Sequence, residues 1–234
     1  MKENKYPMRI NKYLALKNYS TRRGGDELVE KGRVSINGKK AVLGDKVNEN
    51  DVVEVTASKN PKKYVYFAYH KPRGVITHSP QEGEKDIKGS VPMKDVFPIG
   101  RLDKDSSGLI ILTDDGRVTD RLLNPDYTHD KEYLVKTVDK LRPSFKKIME
   151  AGVDIEGYRT KECKVDILSE TTFRITLTEG KKHQIRRMCS ALHHKIRDLK
   201  RVRIMNIKLW DLPSGAYRQL EGKELSNFLK GLGL

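Results

Sequence analysis

The longest unbroken aliphatic run in the chain is Leu109-Ile110-Ile111-Leu112, bounded by Gly108 and Asp114. A short apolar run between turn-forming residues reads as a buried strand, and a buried strand needs a core that covers it. The same run excludes a membrane-spanning helix, which needs about 20 consecutive apolar residues. The opening stretch, Met1 to Arg9, is polar and lacks the apolar segment of a signal peptide, so none is expected.

Around that strand the periodicities are mixed. Tyr64 to Tyr69, Tyr133-Leu134-Val135 and Phe173 to Leu177 read as further strands. Pro143 to Met149 reads as a helix, and so does 183–194, where Ile185, Met188, Cys189 and Leu192 form one apolar stripe. Strands and helices do not alternate strictly, so the class expected is α+β. Residues 8–55 read as a separate small unit. Ile10, Tyr13 and Leu14 mark a first helix, and Ser20 or Thr21 can cap a second that carries Arg22, Arg23, Leu28 and Val29. Gly32 suits the end of that helix. Asn37-Gly38 marks a hairpin turn after Val34 and Ile36, and Val52, Val53 and Val55 close the unit as a strand. Residues 56–63 read as a polar linker, which places the boundary between domains 1–60 and 61–234.

Charge narrows the function. The net charge is +15, with 34% charged residues against about 25% in an ordinary globular chain. The excess is confined to residues 1–64, with 15 basic and 8 acidic groups, and 181–203, with 9 basic and 1 acidic. Two separate basic segments are the footprint of a polyanion binder, whereas a solubility surface would be basic throughout. No amphipathic helix with aromatic anchors accompanies the charge, which disfavours a membrane surface. Two cysteines, Cys163 and Cys189, cannot form a disulfide framework and read as cytoplasmic thiols. Cys189 and His193 stand four apart, but two ligands do not make a zinc site.

The most unusual stretch is Gly100-Arg101-Leu102-Asp103-Lys104-Asp105-Ser106-Ser107-Gly108. It admits three readings. Asp and Ser can simply make local backbone bonds in a loop. Asp103, Asp105, Ser107, Gly108, Ile110 and Asp114 also match the ligand spacing of a calcium-binding EF-hand, although the flanks do not read as helices. The third reading makes Asp103 a catalytic carboxylate, which needs a cation nearby to stay ionised in a pocket of low dielectric.

At this point the residues carry a family resemblance. Gly100-Arg101-Leu102-Asp103 through Gly116 resembles the catalytic motif of RNA pseudouridine synthases of the RsuA family. Lys71-Pro72-Arg73-Gly74, Lys131-Glu132-Tyr133 and Gly180 to Met188, with His183-Gln184-Ile185-Arg186-Arg187, resemble that family's other motifs in the right order. Residues 8–55 resemble an S4 RNA-binding domain, and Cys163-Lys164-Val165 with Arg203-Ile204-Met205-Asn206 resemble a subgroup that acts on large ribosomal RNA. The resemblance implies an αααβ-type S4 domain followed by a mixed, mainly antiparallel sheet. It implies the isomerisation of a uridine, in 23S ribosomal RNA above all, with no cofactor and no metal, by a cytoplasmic monomer that binds structured RNA and no membrane.

By the same resemblance Asp103 is the catalytic carboxylate, Arg186 pairs with it and lowers its pKa, and Tyr133 lies against the target base. Arg101 enters the space left by the extruded uridine. RNA contacts are expected from Arg9, Lys12, Arg22 and Arg23 of the S4 unit, and from Lys71, His183, Gln184 and Arg187. Lys195, Arg197, Lys200 and Arg201 would extend that surface. Gly24-Gly25 departs from the family pattern, since glycine costs a helix about 1 kcal/mol relative to alanine. The alternative function is a non-catalytic RNA-binding or ribosome-assembly factor on the same scaffold.

Overall fold

A computed structural model describes residues 6–56, 63–124 and 126–234; most of the expected linker lies outside them. Two compact units are present. One comprises Met1–Tyr64, Asp115–Arg121 and Leu234, the other Val65–Asp114 and Leu122–Gly233.

The first unit contains strand β1 (Met8–Arg9), helices α1 (Ile10–Leu16) and α2 (Arg22–Glu30), and strands β2 (Val34–Ile36), β3 (Lys39–Lys40), β4 (Lys46–Val47) and β5 (Val53–Val55). It has two helices among the described residues, one fewer than an αααβ arrangement. Its core is Ile10, Leu14, Val29, Val34, Ala41 and Val47. Of the two candidate caps, Thr21 takes the role: its Oγ1 accepts from the Gly24 N–H at 2.9 Å.

The glycine pair has a packing explanation. Gly25 is buried where α2 meets α1, and a Cβ there would lie 3.2 Å from Asn11 Cα and 3.3 Å from Asn11 Cβ. The close approach also brings Asn11 Nδ2 within 2.9 Å of Asp26 Oδ1. Gly25→Ala is therefore expected to lower stability by about 1 kcal/mol. The ~1 kcal/mol gain in helix propensity is outweighed by an overpacking cost of up to about 3 kcal/mol. A urea midpoint equal to or above that of the wild type would contradict this.

The second unit is built on strands β6 (Tyr66–Lys71), β7 (Phe97–Ile99), β8 (Ser107–Thr113), β9 (Lys131–Thr137), β10 (Lys164–Ser169), β11 (Thr172–Leu177), β12 (Ile196–Ile204), β13 (Ile207–Lys208) and β14 (Tyr217–Gln219). Helices α3 (Ile87–Ser90), α4 (Arg117–Leu123), α5 (Phe145–Glu150), α6 (Gln184–Ala191) and α7 (Gly222–Gly231) complete the chain. The main sheet runs β10-β11-β9-β12-β8-β6-β14, with β7 pairing β8 and β13 pairing β12. Every pairing is antiparallel except β12 with β8. This is the mixed, mainly antiparallel α+β fold expected.

The aliphatic run 109–112 lies inside β8, which is buried along its whole length. The stripe of α6 covers one part of the sheet. Ile185, Met188 and Cys189 pack with Phe145 and Met149 of α5 against Val135, Val165, Phe173, Ile175 and Leu199. The helix is shorter than the 183–194 expected, because His193 turns left-handed at φ +60°. Strand β8 rules out the EF-hand reading, since the residues that would wrap an ion from 107 onwards are extended and paired with β6.

Candidate active site

The loop before β8 is held on both sides of Asp103. The buried Thr77 hydroxyl donates to the Leu102 carbonyl at 2.9 Å and accepts from the Leu102 N–H at 3.2 Å. One residue beyond Asp103, the Lys104 carbonyl accepts from the Gly74 N–H at 2.7 Å. Gly74 has φ +89°, which glycine adopts without strain. Ser106 N–H closes the turn onto the Asp103 carbonyl at 3.0 Å. The Lys71–Gly74 segment therefore works from behind, fixing the backbone that carries the carboxylate.

The carboxylate itself is partly open, its side chain 34% exposed. His183 Nδ1 lies 3.1 Å from Asp103 Oδ2, and Arg186 Nε lies 3.8 Å from the same oxygen. Oδ1 makes no hydrogen bond among the described residues. Both partners come from the start of α6. His183 stands at its N-cap in a left-handed conformation, φ +51°, which turns its ring toward the loop. Arg186 follows on the first turn, and its Nη2 donates at 3.1 Å to both the Asp105 carbonyl and Ser106 Oγ. Its firmest grip is thus on the loop backbone, with the carboxylate at the edge of ion-pair range.

Asp103, Arg101, Tyr133, His183 and Arg201 line one cleft of about 690 Å³. Tyr133 projects from β9, opposite Ile175 on one side and Arg201 on the other, and is half-buried against the core. Asp103 and Tyr133 thus line one cleft together with the basic side chains of Arg101, Lys131, Lys181 and Lys182.

The comparisons with known proteins identify the family. Residues 65–191 match the model of the RNA pseudouridylate synthase family, and residues 8–53 match that of the S4 domain. The dual-specificity RNA pseudouridine synthase RluF of Escherichia coli is 42% identical over 230 residues, covering 95% of this chain and 79% of that protein. The chain belongs to the RNA pseudouridine synthases. The ribosomal large subunit pseudouridine synthase B of Bacillus subtilis is 34% identical, covering 93% of each chain. A pseudouridylate synthase crystal structure superposes with a TM-score of 0.69 at 27% identity, covering 96% of this chain and 99% of that one. The similarity to RluF agrees with the subgroup resemblance at 163–165 and 203–206.

The synthase brings Asp103, Tyr133, Arg101, His183 and Gln184 to the cleft and Arg186 to within 3.8 Å of Asp103, but not all the expected RNA contacts are open to solvent. Lys71 is a correction. It is fully buried, its Nζ donating to the Val75 carbonyl at 2.6 Å and to the Pro72 carbonyl at 2.9 Å. Burial pushes its pKa down to about 8, opposed by the charges of Asp103 and Asp105. Gln184 is also buried, its Nε2 donating to Glu179 Oε1 at 2.8 Å while its Oε1 accepts from the Lys181 N–H. Arg187 is turned to the Ile155 carbonyl at 2.7 Å and Glu156 at 2.8 Å, so it staples a neighbouring loop. Arg201, expected on the outer surface, faces inward.

The four S4 cations, Arg9, Lys12, Arg22 and Arg23, all reach solvent, as do Lys195 and Arg197. Cys189 is enclosed in the core, and burial pushes its thiol up to about 12. Sequence reading missed Thr77. A lone threonine four residues beyond Arg73 carries no signal, because its role comes from a turn that meets residue 102 in space.

Proposed function

We propose that this synthase converts a uridine of 23S ribosomal RNA to pseudouridine, in the cytoplasm and as a monomer. Residues 1–60 serve as an RNA clamp and residues 61–234 carry the chemistry. The observation that carries the reading is a carboxylate oxygen, Asp103 Oδ1, with no hydrogen bond among the described residues, on a side chain that lines the same cleft as Tyr133.

The uridine must leave its stack to reach that oxygen. Arg101, exposed at the rim, is suited to fill the space it vacates. Asp103 acts on the ribose, either by attack at C1′ or by taking a ribose proton, while His183 and Arg186 stand against its Oδ2. Tyr133 lies along the base and is placed to receive the C5 proton. A non-catalytic assembly factor would have no use for a carboxylate fixed in this way. Support for a target in the large ribosomal RNA comes from the Bacillus relative, whose name states the large subunit. The name of the Escherichia coli relative adds dual specificity, so a second RNA target belongs in the test.

Pseudouridine mapping of total RNA from cells lacking the gene, by carbodiimide-blocked primer extension, tests this. One site in 23S ribosomal RNA should be lost and should return with the wild-type gene. An intact 23S map would refute the target assignment. The clamp has its own signature. Arg22→Gln with Arg23→Gln should weaken binding to folded RNA and reduce the slope of log K against log salt by about 1 per lost phosphate contact. An unchanged slope would remove these residues from the interface.

A further inference from the structure

The cleft is lined by a cation that no carboxylate neutralises among the described residues. Arg201 stands on β12 directly opposite Tyr133 of β9, and only 4% of it is exposed. Its Nε donates to the Leu109 carbonyl at 2.7 Å. Its Nη2 is buried with no hydrogen-bond partner, and no carboxylate pairs with the guanidinium among the described residues. The residue still lines the cleft, together with Asp103 and Tyr133.

Its position is fixed by the sheet. The backbone of Arg201 lies against Gly108 so closely that a Cβ on that glycine would fall 2.2 Å from the Arg201 carbonyl oxygen. Two more cations lie close by. Burial lowers the pKa of Lys131 and of Lys71, and the positive charge of Arg201 lowers both further. A guanidinium removed from water with only its Nε given an acceptor is unfavourable unless a bound partner supplies another. The missing acceptor is therefore to be sought in the substrate.

The depth of the site selects which part of the substrate. When a nucleotide is extruded, its base travels to the bottom of the pocket and its phosphates stay with the strand outside. Breaking the C1′–N1 bond leaves the electron pair on the base, as a uracil anion whose charge spreads over N1 and the C2 and C4 carbonyl oxygens. C5 then bonds to C1′, the C5 proton departs and N1 gains one, so nothing is added or lost. We propose that Arg201 binds a carbonyl oxygen of the flipped uracil through its guanidinium N–H groups and holds the negative charge of the detached base. This rests on the synthase reading above and adds to it a base-binding residue.

The test uses the full-length protein and a 23S ribosomal RNA transcript carrying [5-³H]uridine, with tritium release followed under single-turnover conditions. Arg201→Gln should slow release about 100-fold, as loss of one preorganised donor does elsewhere, while RNA affinity by filter binding stays within about 2-fold. Arg201→Lys should restore part of the rate. A second arm needs no variant. Wild-type protein on transcripts with 2-thiouridine or 4-thiouridine in place of uridine should be slowed at least about 10-fold more by one substitution than by the other, since sulfur is the poorer acceptor. That difference identifies which carbonyl Arg201 holds, and it should vanish in Arg201→Gln.

An unchanged rate in Arg201→Gln would overturn the proposal. So would a loss of RNA affinity with the saturated rate intact, which is the mark of a phosphate contact. Equal sensitivity of the wild type to the two thio-substitutions would overturn it too, whatever the variant's folding. Absence of tritium release by the wild type would instead refute the function proposed for the chain, and the role of Arg201 with it.

Discussion

Asp103→Asn is expected to reduce pseudouridine formation by more than about 10⁴-fold while RNA still binds. The substitution is isosteric, and an amide oxygen can still face His183 at the 3.1 Å the carboxylate now occupies. What disappears is the negative charge and with it both possible actions on the ribose, attack at C1′ and removal of a proton. Folding should be spared, because the side chain is partly exposed and its ion pairs are of the weak, solvent-screened kind. Single-turnover tritium release, filter binding and a thermal melt on one preparation check all three points. Release within about tenfold of wild type would remove Asp103 from the chemistry.

Gly108→Ala should have the largest effect on stability. Its φ is +111°, and an added Cβ would meet the Arg201 carbonyl oxygen at 2.2 Å, its nitrogen at 2.6 Å and its carbonyl carbon at 2.9 Å. All three are backbone atoms of a paired strand, so no side chain can swing away. The variant must either draw β8 away from β12 or change the conformation at residue 108. The parallel register Lys200 with Ser107 and Arg201 with Gly108 would be lost in either case. A loss of about 3 kcal/mol or more is expected from the combined strain and overpacking. It should be read as a shift of the urea midpoint with little change in slope. A midpoint matching the wild type would mean that the two strands are less tightly joined than they stand here.

Much of this was legible in the sequence where one residue type has one dominant use. Four aliphatic residues in a row had to be a buried strand, and β8 is one. The apolar stripe of α6 had to face a core, and Ile185, Met188 and Cys189 do. The family resemblance set Arg186 against Asp103, and the two stand 3.8 Å apart, while Tyr133 lines the same cleft as Asp103. The failures share one physical cause. A lysine or arginine in a basic segment reads as surface, and the groups that hold it once buried are not revealed by local pattern. Lys71 is held by the Val75 and Pro72 carbonyls, and Arg201 by the Leu109 carbonyl across 92 residues. A weak trace existed for Arg201, which keeps the inward phase of Leu199 two residues before it. Gly25 is similar: its cost in the helix is visible locally, while the reason for it, Asn11 on another helix, is not.

The double hold on the catalytic loop, Thr77 at residue 102 and Gly74 at residue 104, bears on how one uridine is chosen among many. With the carboxylate already in place before any RNA arrives, the protein has little rearrangement left to contribute. The motion belongs to the nucleic acid, which must unstack, rotate and enter. Candidate uridines are then ranked by how cheaply each leaves its neighbours, so loop and bulge positions outcompete paired ones before a single base edge is read. A stiff enzyme of this kind discriminates by the pliancy of its substrate.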